Sequence, residues 1–104
     1  MLLWITPYDA TPLPAPGWIE VKARDHDVVV RWEPETSPAF LSYEVWLCEG
    51  ERPVRRISPE TLRGALWVDT APEPGERRYG VRTVAASGNA SPLVVSHLIV
   101  VGES

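Results

Sequence analysis

The side chains in this sequence that could do chemistry are few and dispersed. Asp25-His26-Asp27 is the densest titratable cluster. Two carboxylates around an imidazole suggest a metal site. A hard cation needs several converging oxygens, and no third carboxylate stands within reach in sequence, so the triplet reads as a polar hairpin turn. His26 and His97 have no cysteine or second histidine at zinc spacing. Cys48, the only cysteine, would need a neighbouring base to become a nucleophile, and a strand position supplies none predictably. Glu33 and Glu35 are a carboxylate pair, but they sit at a strand end with no concave pocket implied. No nucleophile elbow, phosphate-binding glycine loop or paired-histidine zinc motif occurs. The residues therefore predict no enzyme, no metal and no cofactor.

Charged and aromatic side chains offer surface chemistry instead. Arg55-Arg56 and Arg77-Arg78 are expected on the solvent faces of neighbouring strands. There they would meet an acidic partner or stay solvated among the many glutamates. A net charge of −4 argues against nucleic acid, whose binding needs a basic stripe to displace counterions, and gives no reason to expect an anionic membrane. Asn89-Ala90-Ser91 is a glycosylation sequon, but the following Pro92 disfavours its use.

These residues are positioned by short strands. A chain of 104 residues makes one domain with one core. Ile19, Val21 and Ala23 alternate with Glu20 and Lys22 as a first strand. Val28, Val30 and Trp32 form one face of the second, which Pro34 ends. Leu41, Tyr43, Val45 and Leu47 form one face of the third, with Ser42, Glu44, Trp46 and Cys48 opposite. Glu49-Gly50-Glu51 is a turn. Residues 53–57 read as an edge strand on which Pro53 and the arginines discourage edge-to-edge pairing. Ser58-Pro59 reads as the start of a single helical turn. Residues 65–70 are a fifth strand in which Trp67 fits either face. Residues 78–86 are a sixth, with Tyr79, Val81, Thr83 and Ala85 on one face. Ser87-Gly88-Asn89 is a hairpin turn, and residues 93–101 are a last strand, apolar on both faces, with His97 pointing outward. No internal repeat and no second domain are expected. The fold class is all-β, a seven-stranded two-sheet antiparallel sandwich.

The motifs Val28-x-Val30-x-Trp32-x-Pro34, Tyr43-x-Val45 and Tyr79-x-Val81-x-x-x-Ala85, with the Ser87-Gly88-Asn89 turn, resemble fibronectin type III modules over residues 14–101. The resemblance implies that Trp32, Tyr43, Val45, Tyr79 and Val81 are core residues. It also implies that the Tyr79 hydroxyl ties the preceding corner. Glu73 and Gly75 stand where the family has leucine and proline, which predicts a modified corner. Thr83 stands where the family prefers a large aliphatic. The absence of a cysteine pair separates the chain from antibody-type domains. No Arg-Gly-Asp triplet supports integrin binding.

Residues 1–16 are read as a proline-rich extended leader, and 17–104 as the sandwich. Pro7, Pro12, Pro14 and Pro16 forbid a helix or a central strand in the leader. The candidate interaction surface is Leu3, Trp4, Ile5 and Tyr8 of the leader, with Trp18 and Trp46, which fall outside the core pattern. Either these aromatics close an end of the sandwich, or they are a contact surface, since monomers rarely leave large apolar patches bare. The expected function is a non-catalytic structural or protein-interaction module. Such modules recur on phage heads and tails, so a component of a virion whose arm contacts neighbouring subunits is the leading reading. A spacer or carbohydrate-binding module of an extracellular bacterial enzyme or receptor is the alternative. The N-terminus shows no basic region and only a short apolar run. That pattern favours a cytoplasmic or virion-assembled protein unless the chain is a fragment. Nine arginines against one lysine, eleven prolines, one asparagine and no glutamine fit a heat-tolerant protein or a GC-rich genome equally.

Overall fold

Alternation of apolar and polar residues builds the strands, and the inward parity of each builds the core. The computed structural model describes residues 13–24, 27–59, 62–70, 72 and 75–101. Strands β1 (Ile19–Arg24), β2 (Asp27–Trp32) and β5 (Leu66–Asp69) form an antiparallel sheet in the order β1-β2-β5. Strands β3 (Phe40–Glu49), β4 (Arg52–Arg56), β6 (Gly75–Ala85) and β7 (Val94–Val95) form the second sheet in the order β4-β3-β6-β7. Strand β8 (Ile99–Val101) also pairs with β6. The fold is an all-β, two-sheet antiparallel sandwich, with eight strands among the described residues rather than the expected seven.

Inward residues of both sheets meet in one core. Val21, Val28, Val30 and Trp32 come from the smaller sheet, and Tyr43, Val45, Tyr79, Val81 and Val101 from the larger. The Trp32 ring meets Tyr43 edge-on, with centroids 5.2 Å apart at 73°, an arrangement that adds roughly 1 kcal/mol beyond the area buried. Tyr43 also accepts a hydrogen bond on its hydroxyl from the Glu35 N–H at 2.6 Å, which fastens the loop leaving β2. Register settles Trp67: it lies opposite the buried Val30, on the inward parity, and packs against the core.

The Tyr79 hydroxyl donates to Asp69 Oδ2 at 2.6 Å. The tie therefore runs from β6 of one sheet to a side chain on β5 of the other. Burial, followed by the Asp69 carboxylate, pushes the Tyr79 hydroxyl far above its ordinary range. Of the two positions expected to modify the corner, Glu73 lies outside the described residues, and Gly75 begins β6 with φ 127°.

The last strand breaks in two for a reason written in its sequence. Ser91-Pro92-Leu93-Val94-Val95 and Ser96-His97-Leu98-Ile99-Val100 are a five-residue repeat, contrary to the expectation of none. Each serine meets β6 in the same way. The Thr83 N–H donates to Ser91 Oγ at 2.9 Å, and the Ser91 N–H donates back to the Thr83 carbonyl at 2.8 Å. The Tyr79 N–H donates to Ser96 Oγ at 3.0 Å, and the Ser96 N–H donates back to the Tyr79 carbonyl at 2.7 Å. Each hydroxyl donates in turn to the next carbonyl, that of Pro92 or His97. The serines are five residues apart and their partners on β6 four, so each repeat inserts one extra residue, as a β-bulge does. His97 thus falls in the break, exposed, rather than within a strand.

Two other expectations change. The register against β6 shifts between Phe40 and Ser42, so Leu41 is the extra residue and is 46% exposed, while Phe40 takes the place beside Tyr43, with centroids 4.6 Å apart. The helical turn expected from Ser58 falls on Glu60 and Thr61, which lie outside the described residues; the Ser58 hydroxyl itself accepts from the Val45 N–H at 2.9 Å and carries the chain off the edge of β3. Arg77 is not on a solvent face: it shares the inward parity of Tyr79, its side chain is 15% exposed, and Nη1 lies 3.9 Å from Asp69 Oδ2.

Candidate functional site

The outward face of the larger sheet gathers Glu44, Trp46, Arg56 and Arg82. Antiparallel register brings them together: Glu44 lies opposite Arg82, and Trp46 opposite both Gly80 on β6 and Arg56 on β4. Glu44 is the hub. Its Oε1 accepts from Trp46 Nε1 at 3.0 Å and from Arg82 Nε at 2.7 Å, and its Oε2 lies 3.5 Å from Arg56 Nη1. The Arg82 guanidinium stands 5.4 Å from the centroid of the Trp46 ring, within cation–π range. Burial alone would raise the Glu44 carboxyl, but the hydrogen bonds from Arg82 and Trp46 and the two guanidinium charges outweigh it and hold the group below its ordinary value. The result is an indole and a guanidinium fixed in one geometry by a shared carboxylate. Trp and Arg are the residue types most often found to dominate protein interfaces.

Below this group the same face is closed. Cys48 is buried opposite Arg78, and burial raises its thiol above the ordinary value. A Cβ at Gly80 would come within 2.9 Å of Cys48 Sγ and of Leu93 Cγ and Cδ2, so the glycine admits both side chains.

Of the predicted interaction residues, Trp46 is half-buried in the array just described. Trp18 is 47% exposed, but it borders β1 of the other sheet, so the two do not form one patch. Leu3, Trp4, Ile5 and Tyr8 lie outside the described residues, as do Asp25 and His26. Glu33 and Glu35 serve the backbone: Glu33 Oε1 accepts from the Gly17 N–H at 2.7 Å and Glu35 Oε2 from the Ser37 N–H at 3.0 Å. Among the described residues no group of three potential metal ligands occurs, and no helix is long and apolar enough to cross a membrane. The role of Glu44 was not foreseen. Its only signal in the sequence was its place two residues before Trp46 on the same outward parity.

No protein-family model matches the chain, and no curated protein matches it in sequence. Solved structures do share its fold. The spore cortex lytic enzyme SleM of Clostridium perfringens superposes with a TM-score of 0.61 at 10% identity, over 86% of this chain and 28% of that one. A myokine superposes with a TM-score of 0.59 at 18% identity, over 83% of this chain and 96% of that one. At such identities the likeness concerns the fold alone, and this chain spans less than a third of the enzyme.

Proposed function

We propose that this chain is a divergent fibronectin type III-like module with a non-catalytic role, binding other proteins as a small component of a larger assembly such as a virion. The observation that carries this reading is the Glu44–Trp46–Arg82–Arg56 array, where a large aromatic and two cations are held rigid on an open sheet face. Pre-ordering lowers the side-chain entropy lost on docking. The family resemblance draws support from the strand order, with three strands facing a sheet whose edge is β4, and from the Tyr79 tie. The leader is the second contact in this proposal, reaching a neighbouring subunit through Leu3, Trp4, Ile5 and Tyr8.

Light scattering on the full chain, on a chain lacking residues 1–13 and on Trp46→Ala tests the proposal. Self-association or recovery with a native particle should be lost in both variants while the thermal transition persists. A full chain that stays monomeric and binds no particle from its source would defeat it.

One observation favours a second reading. SleM matches this chain over only part of its own length, as a spacer or sugar-binding module attached to a bacterial enzyme would. In that case Trp18 or Trp46 would stack on glycans. Tryptophan fluorescence titrated with soluble and insoluble glycans decides it, and neither a spectral shift nor retention on the polymer would end the idea.

A further inference from the structure

Strand β5 is terminal in the smaller sheet, and register shows what its outer edge presents. The Trp32 N–H donates to the Ala65 carbonyl, and Arg31 lies opposite Leu66. Hydrogen-bonding direction alternates along an antiparallel strand. Trp67 and Asp69 therefore turn their backbone N–H and C=O groups toward β2, and Leu66 and Val68 turn theirs outward. Among the described residues nothing pairs with those outward groups.

Exposed edges usually carry features that repel a further strand. On β4 these are Pro53, three arginines and a register shift. On β1 they are Lys22 and Arg24, and β8 packs against that strand. Strand β5 has none of them. It reads Leu66-Trp67-Val68-Asp69, and the Asp69 carboxylate already accepts from the Tyr79 hydroxyl. The opening beside this edge has Leu47, Ile57, Trp67, Val68 and Pro72 in its walls. The arginines there are engaged, Arg56 at Glu44 and Arg77 at Asp69. An edge without repelling charge, beside partly apolar walls, suits an uncharged apolar strand.

The chain itself supplies one. Residues 1–12 are the longest stretch outside the described residues, and each other stretch has three residues or fewer. Within residues 1–12, Leu2-Leu3-Trp4-Ile5-Thr6 carries no charged side chain and is apolar on both parities, Leu3 and Ile5 on one, Leu2 and Trp4 on the other. Pro7, Pro12, Pro14 and Pro16 follow, a composition that favours an extended, semi-rigid polyproline II connector. From Pro7 to Pro16 that form spans roughly 30 Å. A strand added to the chain's own β5 would lie only about 15 Å from β1, three strand spacings away. The connector overshoots that distance and suits the β5 of another copy.

We propose that residues 2–6 of one copy add as a strand to the free edge of β5 in a second copy, one apolar row lying over Leu47 and Ile57. This inference rests on the leader contact proposed above and names the surface that receives it.

Amide hydrogen exchange on the ¹⁵N-labelled full chain, quenched and read by NMR at two protein concentrations about a hundredfold apart, tests it. When dilute, Trp67 and Asp69 should exchange slowly and Leu66 and Val68 fast. When concentrated, Leu66 and Val68 should slow at least roughly tenfold. Val68→Pro removes an outward N–H that β2 does not use, and the double substitution Leu3→Glu, Ile5→Glu puts charge into the added strand. Each should weaken self-association, measured by light scattering, at least roughly tenfold while the thermal transition persists. The exchange pattern of the unsubstituted chain decides the matter even if Val68→Pro fails to fold. Leu66 and Val68 fast at both concentrations would overturn the inference; association still lost in the leader variant would then leave the leader contact standing with another receptor. Association unchanged in the leader variant would overturn both. Slow exchange at both concentrations would assign the edge to the chain's own leader. Concentration-dependent protection that survives the leader substitutions would assign it to a second β5. Either result overturns the proposal.

Discussion

Thr83 carries a definite cost in the folded state. It is 1% exposed, faces the core opposite Tyr43, and its Oγ1 is buried with no hydrogen-bond partner among the described residues. Replacing it with valine exchanges the hydroxyl for a methyl and keeps the β-branch that suits a strand. A buried hydroxyl without a partner costs roughly 1–3 kcal/mol, and an added buried methyl contributes roughly 0.8 kcal/mol. The two terms overlap and the site relaxes, so Thr83→Val should stabilise the fold by about 1–2 kcal/mol. For a domain of this size that raises Tm by roughly 5–10 °C. Thermal unfolding followed by circular dichroism, and urea unfolding with an unchanged slope, would measure it. Thr83→Ala is the control: it removes hydroxyl and methyl together, leaves a void, and should fall below Thr83→Val. A Thr83→Val protein no more stable than the parent would refute the reasoning, because the hydroxyl would then have to be satisfied in the fold.

Three further outcomes follow from the same packing. Gly80→Ala would push a methyl against Cys48 and Leu93 at 2.9 Å and should cost roughly 1–3 kcal/mol, read as a lower urea midpoint; an unchanged midpoint would mean the outer face yields freely. The buried Cys48 thiol, raised by burial, should react slowly with a disulfide reagent in the native protein and fast in denaturant, whereas rapid native labelling would reveal opening between β3 and β6. The lowered Glu44 carboxyl should contribute stability in full above its ordinary 4.5, and lose it as pH falls below that value through the folded-state value. Glu44→Gln should flatten this acid limb, and an identical pH profile in both proteins would remove Glu44 from the explanation.

What could be read from sequence was whatever depends on parity within one strand. Trp32, Tyr43, Val45, Tyr79 and Val81 share inward parities, and all are buried. Parity gave no warning at Leu41, because Phe40 and Leu41 are both apolar and either can begin the inward row; the bulge chose Phe40. It was silent again in residues 93–101, which are apolar on both faces. Arg77 was legible but overlooked, since it lies two residues before Tyr79 and must share its side. The Glu44 array was not legible, because Arg82 is 38 positions away and meets Glu44 only through cross-strand register. Hydrogen-bond partners of this kind are set by the pairing of whole strands, which no local pattern states.

The serine repeat connects these local facts to the shape of the candidate sites. Each repeat advances the closing segment by one residue relative to β6. After two such steps Val101 sits in the core beside Val21, and β8 packs against β1. One lateral side of the sandwich is thereby sealed. On the opposite side no corresponding segment exists among the described residues: Ser58 takes the Val45 N–H and the chain leaves β4, so β4 and β5 remain apart. The side chains that line that gap are mixed: Leu47, Ile57, Trp67 and Val68 stand beside the arginines, and Arg77 and the Tyr79 hydroxyl converge on Asp69. A sandwich sealed by apolar residues along both lateral sides would leave little beyond its faces for recognition. This one keeps an opening beside the Trp46 array, with Arg56 contributing to both.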